Sequence, residues 1–225
     1  MKKLPLEKLN MIFVWINKLF ILNVCWIAGM LGGLIAFGIF PAFTAALGVS
    51  KELLNSREVK VGKRFIQFYR RDFIQANMLG FLWLGGAVLI LVNYAALNNG
   101  FSANALTIFF YIVILVVYSS LTVHLFALYS SFQTSLLTYF KNALIIGITK
   151  MHVTVSLIAV HFALIYGALT LPAFFLFFYG SLSSLATVFI TKNLYRRLEE
   201  KNAREQEFTN YNIIKEHTKY GEKTT

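Results

Sequence analysis

"LFILNVCWIAGMLGGLIAFGIFPAFTAALGVS", Leu19 to Ser50, contains no Lys, Arg, Asp or Glu, and its glycine-rich middle runs into Pro41. Whether this stretch crosses a membrane once or turns back decides the topology of the whole chain. The composition calls for a membrane: of 225 residues 57% are hydrophobic and 14% charged, where a soluble domain carries about 25% charged residues. From Phe73 to Phe140 there is again no Lys, Arg, Asp or Glu. That run far exceeds the roughly 20 apolar residues that one spanning helix needs, so it must hold more than one helix. The break falls at "NNGFSANA", Asn98 to Ala105, whose asparagines, glycine and serine favour a turn.

Four spans are then plain: Phe73 to about Leu97, Ala105 to about Tyr129, Met151 to Ala168, and Pro172 to Thr191. The last two are separated only by "LTLP", Leu169 to Pro172, and so must be antiparallel. Lys and Arg fall in four groups: Lys2, Lys3, Lys8 and Lys18; the stretch from Lys51 to Arg71; Lys141 and Lys150; and Lys192 to Lys223. The Asn98 and Leu169 turns hold none. The positive-inside rule therefore makes those short turns external and the last three groups cytoplasmic. If Leu19 to Ser50 crosses once, the N-terminal lysines lie outside and oppose the rule. If it turns back, every basic residue lies inside. The expectation is an all-α polytopic bundle of six helices, the first starting near Leu9, "GMLGG" forming the outer turn and the second running from about Gly33 to Leu54. The count is five if residues 19–50 cross once. The bundle occupies 1–192, with a basic amphipathic cytoplasmic loop at 55–72. Residues 193–225 extend the last helix into the cytoplasm, with pairs such as Arg196–Glu200, and end in a disordered tail after about Thr209.

Small residues indicate how the helices meet. Gly29 and Gly33 form a GxxxG, and Ala159, Ala163 and Gly167 repeat the spacing, which in lipid lets backbones approach closely. The single cysteine, Cys25, excludes an internal disulfide framework and has no companions at metal-ligand spacing. No metal and no cofactor are expected. The N-terminal Met1-Lys2-Lys3 and apolar run lack a small-x-small cleavage site, so the N-terminus is expected to stay and to be cytoplasmic.

"LNVCWIAGMLGG", "FGIFPAFTAALGVSKEL", "GKRFIQFYRRDFIQANMLG" and "YFKNALIIGITK" together resemble the YesL-like family of bacterial integral membrane proteins, a domain of unknown function. The resemblance covers nearly the whole chain. It implies a small polytopic protein of the bacterial cytoplasmic membrane, of a kind often encoded beside carbohydrate importers of the ABC type and their regulators. It brings no activity with it.

Aspartate and glutamate are absent from the apolar spans, Asp72 standing at the edge of one, so a carboxylate proton relay is not expected. The ionisable groups left in the apolar segments are His124, His152, His161 and Lys18, with His152, next to Lys150, at the interface; an intramembrane histidine suits a polar ligand or a hydrogen bond to a neighbouring helix. In "YSSLTVHLFALYSSFQTS", helical spacing gathers Tyr118, Thr122, Tyr129 and Gln133 on one face, while Ser120, His124 and Ser131 lie nearly opposite. The first face offers hydroxyl, amide and ring chemistry to an uncharged polyol; equally, its hydroxyls can bond their own backbone. A ligand site there would be lined by those four residues, with His124 or His161 as the titratable neighbour.

In "GKRFIQFYRRDF", Phe65, Phe68 and Tyr69 recur at helical spacing with Lys63, Arg64, Arg70 and Arg71 interleaved. This reads as a helix on the anionic inner leaflet, where each basic residue contributes on the order of 1 kcal/mol, or as a docking surface for a partner protein. ABC importer subunits and a membrane sensor are the candidate partners; nucleic acid is not. The chain lacks a phosphate-binding glycine loop ending in Lys-Ser/Thr and so is not the ATPase. It also lacks the Glu-Ala-Ala coupling pattern of ABC permeases, with Lys141-Asn142-Ala143 there instead. Without a nucleophile elbow or carboxylates at usable distance from its histidines, it is not expected to be an enzyme. The expectation is an accessory membrane protein associated with carbohydrate uptake or its regulation, the alternative being a stand-alone transporter or channel for an uncharged polar solute.

Overall fold

The computed structural model describes residues 3–56, 58–98 and 104–221. Among them it contains helices and turns only: α1 (Lys3–Gly32), α2 (Ile39–Asn55), α3 (Val61–Asn98), α4 (Ala105–Ser131), α5 (Leu136–Thr149), α6 (Met151–Thr170), α7 (Pro172–Phe174), a π-helical turn (Phe175–Tyr179) and α8 (Gly180–Gly221). Most of the "NNGFSANA" turn lies outside the described residues. Among the described residues, five helical stretches are long and apolar enough to cross a membrane: Lys8–Gly32, Val61–Ala95, Ala105–Ser131, Met151–Thr170 and Pro172–Lys201. Their outer faces stay apolar and uncovered, as at Leu82, Leu89 and Val92 on α3 and Phe109 and Val116 on α4. An apolar belt of that extent belongs in lipid rather than water, and the chain is a multi-pass α-helical membrane protein.

The deciding stretch folds back on itself. α1 ends at Gly32, residues 33–38 turn, and α2 returns along α1, with Ala42 Cβ packed 3.2 Å from the position of a Cβ added to Gly29. The turn sits a few residues later than "GMLGG", because Gly33 and Gly38 meet back to back: a Cβ on Gly33 would overlap the Gly38 backbone, and one on Gly38 the Met30 carbonyl. Gly33 is thus a turn residue and not part of a packing ridge. Between the two glycines, Leu34 (φ 55°) and Ile35 (φ 63°) adopt the left-handed conformation that branched side chains avoid. At 17 residues, α2 is only about 25 Å long. Eleven of its 17 residues are buried, and it packs against α1, α3 and α4.

α3 begins at Val61, so the basic segment that sequence alone places on the membrane surface is instead the opening of a 38-residue helix. Its aromatic face turns into protein: Phe65 is buried beside Gly29, and the Tyr69 hydroxyl donates to the Gly29 carbonyl at 2.8 Å. α3 runs antiparallel to α2, with Arg64 against Glu52 and Asn77 Nδ2 donating to the Phe37 carbonyl at 2.9 Å. It is antiparallel to α4 as well, where Tyr94 stacks on Tyr111. The "YFKNALIIGITK" segment forms part of α5, which packs back along α4; Gly147 there lies so close to Ser120 that a Cβ would overlap Oγ. Of the second small-residue ridge, Ala159 and Ala163 are exposed, and Gly167 makes ordinary contact with the Phe174 ring.

The chain divides into two units, 1–190 and 191–225. The second is helical to Gly221, past Thr209, where the composition predicts an unstructured tail; its Lys, Arg, Glu and Gln are strong helix formers. Within it, Arg196 Nε lies 3.9 Å from Glu200 Oε1.

Candidate functional site

Most polar groups inside the helices are hydrogen-bonded, since an unpaired amide or hydroxyl in hydrocarbon is costly; Asn77 Oδ1 and Ser120 Oγ are buried exceptions. Asn23 does the most. Its Nδ2 donates to the Leu176 carbonyl at 2.7 Å, and its Oδ1 accepts from the Gly180 and Ser181 N–H groups at 2.8 and 3.2 Å. These backbone groups flank or belong to the π-helical turn, whose widened ladder leaves them for a side chain to satisfy. Trp26 lies so close to Gly180 that a Cβ would overlap the indole.

The structure divides the residues that helical spacing places on one face of α4. Tyr118 donates from its hydroxyl to the Trp83 carbonyl at 2.8 Å, and Trp83 Nε1 donates to Thr122 Oγ1 at 2.9 Å. Both serve the α3–α4 contact. On the opposite side His124 is fully buried with Nε2 3.0 Å from Thr154 Oγ1. That hydroxyl donates to the Gly147 carbonyl at 2.9 Å, which leaves Nε2–H as the donor. His161 lies elsewhere, Nδ1 donating to the Leu157 carbonyl at 2.9 Å and Nε2 3.3 Å from Thr187 Oγ1. These six candidates do not share one cavity.

Tyr129 and Gln133, by contrast, stand in the wall of a cleft of about 910 Å³ formed by the end of α2, the linker after it, the start of α3 and the end of α4. Among the described residues, five basic side chains line it, Lys51, Lys60, Lys63, Arg64 and Arg71, against two carboxylates, Glu52 and Glu58. Two of the cations are fixed in direction. Arg64 grips Glu52 (Nε–Oε2 2.7 Å) and donates from Nη1 to Gln67 Oε1 at 2.7 Å, and Arg71 grips the largely buried Asp72 through Nε (2.7 Å) and Nη2 (2.8 Å). Both guanidinium carbons stand 4.9 Å from the Phe68 ring centre, a cation–π arrangement that holds the three side chains together. Gly48 admits that ring, which lies 3.1 Å from where its Cβ would stand.

A second cavity, of about 530 Å³, adjoins the first and shares Arg71, Tyr129, Phe132 and Gln133 with it. Its other walls are close to neutral, with Gln75, Thr134 and Tyr139 beside the Arg71–Asp72 pair and Arg70. The Tyr129 hydroxyl donates to Gln75 Oε1 at 3.3 Å, and that of Tyr139 donates to the Phe132 carbonyl at 2.6 Å while accepting from the Thr134 N–H at 3.1 Å. Burial raises the Tyr139 phenol above its ordinary value. Of the predicted surface residues, Lys63, Arg64, Phe68 and Arg71 line the larger cavity, Arg70 and Arg71 the smaller, and Phe65 and Tyr69 pack inward. Sequence reasoning misses Lys51, Glu52, Lys60, Asp72, Gln75 and Tyr139 as partners in a site, because they come from segments joined only when α2, α3, α4 and α5 pack. The available signal is that their segments all flank apolar spans at one end of the bundle.

A polytopic α-helical membrane protein with its polar cavities at one end is the class that fold and site define. Over residues 19–94 the chain matches the family described as "Protein of unknown function, DUF624". It is similar to two proteins of Bacillus subtilis (strain 168): YesL, 23% identical over 202 residues that cover 88% of this chain and 94% of that protein, and YteU, 25% identical over 193 residues that cover 85% and 87%. Both carry the description "Uncharacterized protein". These matches bear out the resemblance to the YesL-like family. No solved structure matches the chain.

Proposed function

We propose that the protein is an accessory subunit of the bacterial cytoplasmic membrane, that its basic cleft opens to the cytoplasm, and that it works on a partner there and does not conduct solute itself. One observation carries the reading: Asn23, Tyr118, His124 and His161 at depth each bond a neighbouring helix, leaving isolated atoms such as Asn77 Oδ1 and Ser120 Oγ and no continuous polar row among the described residues, whereas the large cleft with a surplus of positive charge lies at one end. A conduit needs polar groups left over along its path. A docking surface needs them at its mouth.

Orientation follows from the positive-inside rule, which puts the basic segments from Lys51 to Arg71 and from Lys141 to Lys150, between the apolar spans, on the cytoplasmic side. The partner in this reading is a subunit or regulator of an ABC-type carbohydrate importer, as the family resemblance implies. No catalytic step is assigned to the chain. The test is capture of the tagged protein from mild detergent with and without Lys63→Gln and Arg71→Gln, followed by assay of the partner's transport or signalling. Co-purification of such a partner, with its activity altered by the substitutions, is expected. Saturable flux of an uncharged sugar through the purified protein alone in liposomes would overturn the reading in favour of a stand-alone transporter.

A further inference from the structure

The two adjoining cavities differ in character, and the pairing narrows what can fill them. On one side of Arg71 stand Lys60 and Lys63, exposed and without an ion pair among the described residues; on the other stand Gln75, Gln133 and Tyr129. Arg71 belongs to both walls. Its Nε and Nη2 are held by Asp72, and Nη1 makes no hydrogen bond among the described residues. A pinned guanidinium with one edge free, in a cleft that two lysines also line, suits a compact dianion, and arginine and lysine together are the usual means of holding phosphate. Amide and phenol groups a few residues away suit hydroxyls. A nucleotide base fits less well, because the Phe68 ring is taken by two guanidinium groups and the Tyr129 and Tyr139 rings pack on each other, tilted by 55° with centroids 5.3 Å apart.

We propose that this site binds an organic phosphate bearing neighbouring hydroxyls, with the phosphate held by Lys60, Lys63 and Arg71 and the hydroxyls by Gln75, Tyr129 and Gln133. The inference rests on the reading of the cleft as the working surface and names its ligand class. Two sources share this chemistry: a free sugar or polyol phosphate, and the glycerol-phosphate headgroup of phosphatidylglycerol. Cavities of about 910 and 530 Å³ are ample for either, since small-ligand sites run from roughly 300 to 1,000 Å³.

The test is calorimetric titration of the full-length protein in zwitterionic nanodiscs with glucose 6-phosphate, inorganic phosphate and glucose in turn. Glucose 6-phosphate is expected to bind at least tenfold more tightly than inorganic phosphate, and glucose not at all. Lys60→Gln/Lys63→Gln, both exposed and so tolerable to the fold, should weaken glucose 6-phosphate at least tenfold, and Gln133→Leu should narrow its advantage over inorganic phosphate. Displacement of the probe by phosphatidylglycerol in the disc, but not by the same charge of phosphatidylserine, identifies the lipid as the source; equal displacement identifies the free phosphate. Absence of glucose 6-phosphate binding, affinity equal to that of inorganic phosphate, or affinity unchanged in the double lysine variant overturns the proposal. Because no partner is present, such a failure leaves partner capture by the cleft standing, and the capture experiment decides that separately.

Discussion

Replacing Asn23 by Leu removes three hydrogen bonds at once while keeping about the same bulk. The amide donates to the Leu176 carbonyl and accepts from the Gly180 and Ser181 N–H groups, and Asn23 is fully buried. Side-chain hydrogen bonds inside membrane proteins average about 0.6 kcal/mol with a maximum of about 1.7, so three of them give roughly 2–5 kcal/mol. Leaving buried backbone groups unpaired in low dielectric places the effect toward the upper part of that range. The assay is equilibrium unfolding of the purified protein by SDS in dodecylmaltoside micelles. Asn23→Leu should lower the unfolding free energy by about 4 kcal/mol, and Asn23→Ala by at least as much. A loss of under about 0.5 kcal/mol would refute the claim that this amide closes the widened ladder at Phe175–Tyr179.

Other consequences follow from packing and strain. Gly147→Ala drives a methyl into Ser120 Oγ and should cost about 1–3 kcal/mol in the same assay, with Ser120→Ala recovering part of the loss. Ile35 is exposed and held at φ 63°, so Ile35→Gly should stabilise the protein by about 1 kcal/mol; a destabilised variant would show that the turn is not strained. A double-mutant cycle of Glu52→Gln and Arg64→Gln, a pair whose side chains are 29% and 40% exposed, should give a coupling of only about 0.5–1 kcal/mol, diminishing in high salt.

Much of the bundle is legible in the sequence because hydrocarbon imposes a simple rule: each span must be long and free of charge. The spans after Asn98 and the hairpin within Leu19–Ser50 are readable on that basis. The turn is harder, because its position depends on Gly33 meeting Gly38, a contact between backbones that no periodicity encodes. α5 is hard to read from sequence for a related reason. It is short, and its Lys141 and Lys150 mark a loop to any charge count, although Tyr139, Ala143 and Gly147 pack on α4. The polar face of α4 shows the limit of helical-wheel reasoning, which groups Tyr118 with Gln133 but cannot tell that Trp83 occupies the upper half while the lower half opens into a cavity. Likewise the aromatic residues of "GKRFIQFYRRDF" are amphipathic toward α1 and α2, and a face that packs on protein has the same spacing as one that lies on lipid.

The account rests most on the side of the membrane to which the cleft opens. With the single native cysteine replaced, Cys25→Ser, and a new one introduced at the exposed cleft position by Lys63→Cys, a membrane-impermeant maleimide reports that side directly. Labelling in inside-out vesicles and none in intact cells is the predicted result; labelling of intact cells would contradict the assignment and remove the cytoplasmic partner with it.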